Sequence, residues 1–320
     1  MKKLIPLLVL ILILAACSKT PGGIPDEEID DSKLQVYTTV YPLTYFTERI
    51  GGDRVQVQSI YPAGSNEHTF EPTQQNMISL AEADLMLYIG LGLEGFIDSA
   101  KETLSNEKVE FVATADSISD EEMETEEHHE EDGHEEEAES HDGHDHGSTD
   151  PHVWMSPKLS QNLAESIKNS LSEADPEGTE SYESNYEELV AELQELDQQF
   201  TELHERVSKD TFFVSHSAFG YISEPYGFEQ VAVAGLNSQD EPSQKELTEI
   251  VDTAKELDAQ YIVFEQNVSS NLTEVIQSEV GAEAIEMHNL GVLTQENIDN
   301  EETYFTLMER NLQVLETVLK

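Results

Sequence analysis

Short apolar runs alternate with helical patterns along most of the chain. In the first half, strand-like runs occupy 36–40, 55–60, 85–89 and 109–113, and helical patterns begin near Pro42, Gln74 and Leu93. The second half repeats the order, with runs at 212–215, 230–234, 261–264 and 284–287 and helical patterns near Phe219, Ser243, Asn271 and Glu301. This alternation predicts an α/β fold of two (β/α) lobes, each with a small parallel sheet covered by helices.

One long apolar stripe separates the two halves. Its members recur at spacings of four and three residues: Tyr182, Tyr186, Leu189, Leu193, Leu196, Phe200, Leu203 and Val207. The stripe predicts an amphipathic helix over 179–208, on the order of 45 Å long. It also suits a coiled-coil seam between two chains, although it ends after about four heptads and is flanked by lobes that can cover it. A rigid helix joining the lobes favours a small ligand held at their interface, in the cleft.

The N-terminal segment points to a compartment. Lys2 and Lys3 precede a short apolar stretch, 4–14, which ends in Leu14-Ala15-Ala16-Cys17 and so resembles a bacterial lipoprotein signal. The resemblance implies removal of residues 1–16, lipidation of Cys17 and a polar tether over 17–32. The alternative is a buried N-terminal helix with an incidental cysteine. Because Cys17 is the only cysteine, neither a disulfide nor a cysteine-based zinc site can form within one chain.

We divide the remaining residues into three parts. They are an N-terminal lobe, 33–175, a linking helix, 176–209, and a C-terminal lobe, 210–320. The formal charge is −51, of which 116–150 contribute −17 and the other residues the remaining −34. Such acidity argues against nucleic acid as a partner and against electrostatic docking to an anionic bilayer, so a lipid would have to hold the protein at the membrane.

An acidic, histidine-rich loop lies within 116–150. It carries six of the eleven histidines: His128, His129, His134, His141, His144 and His146. Imidazole is a common ligand for zinc, and a tract without apolar periodicity has no core to build. We expect a weak metal-collecting segment that is disordered without metal from about Asp120 to Gly147. The alternative is a solvated acidic loop that binds nothing specifically.

Three further histidines occupy turn or strand-end positions. His68 follows the second strand in YPAGSNEHTFEPTQQNM, His152 lies in DPHVWMSPKLS before a helix that begins near Pro157, and His216 ends the fifth strand in FFVSHSAFGY. Each alone is as consistent with a surface or capping histidine as with a ligand. Together, neutral imidazoles from both lobes could converge on one cation in the cleft.

At these positions the chain resembles the metal-binding lipoproteins of ABC-type uptake systems, in their ZnuA/AdcA-like zinc branch. The shared motifs include GLGLEGF at 90–96, DPHVWMSP after the acidic loop, SHSAFGY, EPSQKEL and VFEQNVSSNL. The resemblance runs from about Leu34 to the C-terminus. It implies two lobes joined by a rigid helix, with His68, His152 and His216 at the family's metal-ligand positions.

The same resemblance implies the function. The chain would be an extracytoplasmic, high-affinity zinc-binding protein, anchored to the outer face of the bacterial cell membrane and not an enzyme. It would act as a monomer and deliver Zn²⁺ to an ABC permease and its ATPase. Manganese-binding relatives carry a carboxylate at the third ligand position, whereas His216 favours zinc.

The fourth ligand is left open. Many relatives place Asp or Glu where this chain has Gly291. A water molecule, Glu67 or His288 could complete the tetrahedron, and we rank water first. Glu265 is either an acceptor for a histidine N–H or a charge at a strand end.

Three other functions are weighed against zinc capture. A manganese-binding homologue and an adhesin lipoprotein are alternatives, although no receptor-binding patch is evident. A zinc hydrolase would use three histidines and a bound water, yet it also needs a base and a substrate pocket, and the chain has no H-E-x-x-H or G-x-S-x-G motif. Trp154 is interpreted as packing for the His152 loop, and Tyr61 and Phe70 as local core.

Overall fold

Two four-stranded parallel sheets organise the protein. The structure is a computed structural model that describes residues 30–126, 149–267 and 271–320. The first sheet contains β1 (Leu34–Thr38), β2 (Val55–Ser59), β3 (Leu85–Tyr88) and β4 (Glu110–Ala113), in the order β2-β1-β3-β4. The second contains β5 (Thr211–His216), β6 (Glu229–Ala234), β7 (Tyr261–Glu265) and β8 (Glu283–Met287), in the order β6-β5-β7-β8. The predicted two-lobe α/β fold is therefore confirmed, and both lobes have the same strand order.

Helices connect and cover these strands. They are α1 (Tyr41–Gly51), α2 (Gln74–Glu82), α3 (Ile97–Thr103), α4 (Asp120–Glu126), α5 (Leu159–Ala174), α6 (Thr179–Leu203), α7 (Gln244–Glu256), α8 (Asn271–Val280), α9 (Gln295–Asp299) and α10 (Tyr304–Val318). Capping boxes start several of them: Thr73 with Asn76 begins α2, and Ser243 with Glu246 begins α7. In each box the two side chains satisfy backbone N–H groups that the first helical turn leaves free.

The α-helix predicted near Phe219 is wrong. Two short 3₁₀ turns, Gly220–Ile222 and Glu224–Tyr226, stand there instead. Pro225 has no N–H to give to a helix, and Gly227 adopts a left-handed φ of 80°. The chain after β5 therefore stays compact and turns directly into β6.

The long helix α6 joins the lobes and is covered by its own chain. Its apolar stripe is buried, with Leu189, Leu193 and Leu196 at most 1% exposed. The neighbours are α1 and α5 of the first lobe and α10, the C-terminal helix. The helix is shorter than predicted: it ends at Leu203 and continues only as a 3₁₀ turn, so its length is about 37 Å. Because the stripe packs within one chain, it is not available as an intermolecular coiled-coil seam.

The expectation of disorder from Asp120 onward is wrong for the first residues of that segment. Residues 120–126 form α4, which Ser119 starts by accepting a hydrogen bond from the Glu122 N–H while the Glu122 carboxylate accepts from Ser119. Asn162 of α5 also donates to Glu122, over 3.2 Å. Local capping and one tertiary contact thus outweigh the repulsion between neighbouring acidic side chains.

Several predicted features lie outside the described residues. They are the lipidation site Cys17 and the loop histidines His128, His129, His134, His141, His144 and His146. Within the described ranges, no helix is both long and apolar enough to cross a bilayer.

Candidate metal site

His68, His152 and His216 meet between the two lobes. His68 lies in the loop between β2 and α2, His152 precedes α5, and His216 is the last residue of β5. One ligand atom from each residue can be chosen so that all three atoms lie within 4.8 Å of one another. Parallel sheets present the carboxyl ends of their strands at one edge, which is where ligands of such folds gather. The topology therefore brings together residues that are far apart in sequence.

The spacing of these rings suits a metal ion of zinc's size. The Nε2 atoms of His68 and His152 are 3.4 Å apart, and the three ring centroids are separated by 5.0 to 5.3 Å. Two nitrogens bound to one tetrahedral zinc at about 2.0–2.1 Å would stand roughly 3.3 Å apart. The Nε2 atoms of His68 and His152 already have this separation.

Asp150 fixes the orientation of His152. The fully buried His152 ring donates from Nδ1 to Asp150 Oδ1 over 2.6 Å, and the His152 backbone N–H donates to the same oxygen over 2.9 Å. Tyr221 holds the Asp150 carbonyl through its hydroxyl at 3.0 Å. With its proton on Nδ1, the ring presents the lone pair of Nε2 to the site. Sequence reasoning did not single out Asp150, although the D-P-H spacing of two residues could have indicated this turn.

Glu265 fixes the orientation of His216 in the same way. His216 Nδ1 donates to Glu265 Oε2 over 2.8 Å, and Ser215 donates to the other carboxylate oxygen over 2.7 Å. His216 Nε2 is buried and has no hydrogen-bond partner among the described residues. A buried polar atom without a partner is costly, and an ion bound there would remove that cost. Of the two roles left open for Glu265, the structure has it accept the imidazole N–H.

The site is electrostatically prepared for a cation. Burial, followed by the neighbouring His152 and His216, lowers the pKa of His68 to about 3, so this ring is neutral at pH 7. Burial would also lower the pKa of His216, but the charge and hydrogen bond of Glu265, together with the charges of Glu67 and Asp150, outweigh it and raise that pKa. Burial opposes ionisation of Glu265, yet His216 keeps the pKa of this carboxyl below its usual range. The site therefore combines neutral imidazole with buried negative charge.

Glu67 fills the space where position 291 lacks a side chain. A Cβ atom added to Gly291 would lie 2.6 Å from Cδ and Oε1 of Glu67. Glu67 is 3% exposed and accepts a hydrogen bond from Asn289 Nδ2 over 2.9 Å, and burial raises its pKa. Among the described residues, its carboxylate does not join the cluster formed by the histidines. Glu67 thus borders the site without completing it in this arrangement.

His288 offers no free ring nitrogen. Its Nε2 lies 3.1 Å from Asn297 Oδ1, and its Nδ1 accepts from the Leu290 N–H over 2.8 Å. This histidine holds the turn after β8, and we do not propose it as a ligand.

The aromatic residues near the site pack around it. The Trp154 ring lies 5.2 Å from the His152 ring, and its Nε1 donates to the Asn289 carbonyl over 2.8 Å. Tyr61 and Phe70 stack edge to face at 4.9 Å. Trp154 therefore both packs against the His152 loop and ties it to the C-terminal lobe.

The chain is similar to known zinc-uptake and zinc-binding proteins. The high-affinity zinc uptake system protein ZnuA of Bacillus subtilis is 34% identical over 96% of this chain and 94% of its own length. The zinc-binding lipoprotein AdcA of Streptococcus pneumoniae is 33% identical over 95% of this chain, which spans 58% of that relative. The crystal structure of the Zn(II)-bound ZnuA-like domain of AdcA aligns with a TM-score of 0.71 at 30% identity, over 90% of this chain and 99% of that domain.

A structural neighbour carries a second description. The laminin-binding protein Lmb of Streptococcus agalactiae, described as bifunctional with adhesin and metal transporting activity, aligns with a TM-score of 0.74 at 26% identity, over 90% of this chain and all of the other. The family of the zinc-uptake complex component A, periplasmic, matches residues 36–318. Since that match covers nearly the whole chain, the protein belongs to the ZnuA family.

Proposed function

We propose that this chain captures Zn²⁺ between its lobes and delivers it to an ABC-type permease and its ATPase. One observation carries the proposal: ligand nitrogens of His68, His152 and His216, contributed by both lobes, lie within 4.8 Å of one another. The orientation of two rings by buried carboxylates supports it, because such partners fix the tautomer that presents Nε2 to an ion. The ion is the cargo of the protein.

The donor set favours zinc over manganese. Three imidazoles suit a borderline cation, whereas Mn²⁺ prefers carboxylate and water oxygens. No carboxylate oxygen of the described residues joins the histidine cluster. We infer that a water molecule takes the fourth position, with Glu67, which is buried beside Gly291 and directly precedes His68, as the protein alternative.

Burial of the site argues for binding rather than turnover. His152 and His216 are fully buried, which suits an ion without an organic substrate. A zinc hydrolase would need an open coordination position that a substrate can reach and a base beside it. We therefore propose that the protein is not an enzyme, and we expect no hydrolysis of a nitrophenyl ester by the zinc-loaded protein.

The cellular location is proposed from the descriptions of the family and of a relative. The family is described as periplasmic, and AdcA is described as a lipoprotein. We propose that lipid on Cys17 holds this chain at the outer face of the cell membrane. Because the stripe of α6 is covered within the chain, we propose a monomer that meets the permease as a single copy.

The test replaces one ligand at a time. His68→Ala, His152→Ala and His216→Ala are titrated with zinc against a chelator of known affinity, in protein lacking 127–148 so that the loop histidines do not contribute. Each should bind at least about 100-fold more weakly than its parent, since loss of a direct ligand exceeds the loss of an orienting partner. His204→Ala is the control, because the His204 ring packs near Phe228 at 5.6 Å, outside the cluster. Parental affinity in His216→Ala would refute the assignment.

Two further measurements separate the alternatives. Dialysis against equal Zn²⁺ and Mn²⁺ at neutral pH should leave zinc bound, and equal retention would favour a manganese-binding homologue. The likeness to a laminin-binding protein gives the adhesin alternative a direct assay on immobilised laminin. Zinc capture alone predicts no retention there, and saturable retention of the zinc-loaded protein would establish adhesion as a second function.

A further inference from the structure

Asn289 contacts the segments that carry His68 and His152 and the carboxylate that orients His216. Its Nδ2 donates to Glu67 Oε1 over 2.9 Å, and Glu67 directly precedes His68 in the chain. The same Nδ2 donates to Glu265 Oε2 over 3.2 Å, the oxygen that accepts the His216 N–H. Its backbone carbonyl accepts from Trp154 Nε1 over 2.8 Å, two residues after His152. Asn289, two residues after β8, is thus bonded to the neighbours of His68 and His152 and to the carboxylate that accepts the His216 N–H.

The hydrogen-bonding capacity of Asn289 is almost entirely used. A primary amide has two N–H donors, and here they serve carboxylates from the two different lobes. Its Oδ1 accepts from the Gly291 N–H over 3.0 Å, which closes the turn. The residue is 3% exposed, so water cannot readily replace these bonds.

These contacts reduce the repulsion between two buried carboxylates beside the site. Glu67 and Glu265 are both buried and both reach the same nitrogen, so without a shared donor two carboxylates would face each other. Without that donor the two carboxylates would repel each other, and any shift of Glu265 would also move the His216 ring that is hydrogen-bonded to it. The amide keeps both carboxylates in place without adding charge.

We propose that Asn289 is a positioning residue that holds the three histidines in register and so sets the zinc affinity of the site. The inference rests on the proposed function. Asn289 acts through Glu67, Glu265 and Trp154 and does not touch the ion itself.

Asn311 provides a matched control. It is 1% exposed, and its side chain makes two hydrogen bonds to the backbone of His288, the neighbour of Asn289, at 2.9 and 2.7 Å. Loss of this amide removes buried hydrogen bonds from the same turn but leaves the hydrogen bonds to the two carboxylates. A merely structural role would make Asn289 and Asn311 equivalent in their effect on zinc.

The experiment compares Asn289→Leu with Asn311→Leu in the protein that lacks 127–148. Thermal unfolding of the metal-free proteins, zinc affinity by chelator competition and the visible spectrum of bound Co²⁺ are measured on each. Asn289→Leu should lose about 10- to 100-fold in zinc affinity and shift the Co²⁺ bands, as expected when an orienting partner is lost. Asn311→Leu should lower the unfolding temperature while retaining affinity within about threefold and the parental spectrum.

Asn289→Asp keeps the side-chain shape and serves as a second variant in case Asn289→Leu misfolds. It replaces the donating NH₂ with an acceptor, so it should also weaken zinc binding although it adds negative charge. Parental or tighter binding in Asn289→Asp, or equal loss of affinity in Asn289→Leu and Asn311→Leu, would overturn the inference while leaving the proposed function intact. Failure of the parent and the Asn311 variant to bind zinc tightly would instead overturn the proposed function, and the inference with it.

Discussion

Gly291 and Glu67 compete for one volume, and this yields a quantitative prediction. A Cβ atom at position 291 would lie 2.6 Å from Cδ and Oε1 of Glu67 and 3.1 Å from Oε2, far inside the roughly 3.5–4.0 Å of a comfortable contact. Gly291 is not among the described glycines with positive φ, so an alanine there meets this clash without backbone strain. Glu67 cannot easily yield, because it is buried and bonded to Asn289.

Gly291→Ala should therefore destabilise the metal-free protein by about 1–3 kcal/mol, the usual cost of overpacking. At about 2–4 °C per kcal/mol, the unfolding temperature should fall by roughly 2–12 °C. The decisive assay is a double-mutant cycle by urea unfolding with Glu67→Ala, which removes the clashing carboxylate. In that background Gly291→Ala should cost almost nothing. If its cost is the same in the parent protein and in the Glu67→Ala background, the steric argument is refuted.

Further predictions concern ligand orientation, acid release, the linking helix and the acidic loop. Glu265→Gln should weaken zinc binding by about 10- to 100-fold, or about 1.4–2.7 kcal/mol, with unchanged circular dichroism, and unchanged affinity would contradict its orienting role. Although burial opposes it, Glu265 and the neighbouring acids raise the pKa of His216, so this ring should take up a proton before His68, whose pKa is lowered to about 3. Because bound zinc competes with that proton, zinc should be retained at neutral pH and released through and below about pH 6.5 in dialysis, and constant occupancy down to pH 5 would speak against it. Leu193→Ala, in the buried stripe, should cost about 2–5 kcal/mol in urea unfolding, whereas Leu257→Ala, at a residue that is 44% exposed, should cost little; equal losses would be inconsistent with this packing. Deleting 127–148 should remove weak zinc sites from a titration and preserve the tight one, and loss of the tight site would mean that the loop supplies a ligand.

Much of the fold follows from local sequence. All eight predicted strands are present to within two residues. The central strands β1, β3, β5 and β7 are mostly buried and appear as short apolar runs, whereas the edge strands β2, β4, β6 and β8 are more exposed and mix apolar with polar residues. The stripe that begins at Tyr182 predicted α6 for the same reason, since a helix buried on one side must repeat its apolar residues every three or four positions. Local signals failed near Phe219, where Pro225 and Gly227 interrupted an apolar pattern.

Only part of the chemistry of the site could be predicted from the sequence. Motifs singled out His68, His152 and His216, but no local pattern says which ring nitrogen faces the ion or which carboxylate orients it. Those choices depend on tertiary contacts.

Distance along the chain is the physical reason for this difference. Asn289 and Glu67 are 222 residues apart, and their hydrogen bond exists only because the two lobes close on each other. Hydrophobic periodicity shows which residues of a helix or strand are buried, and so it predicts secondary-structure elements. The volume that Glu67 occupies beside Gly291, and the shared amide of Asn289, arise from the packing of those elements, which only the tertiary structure decided.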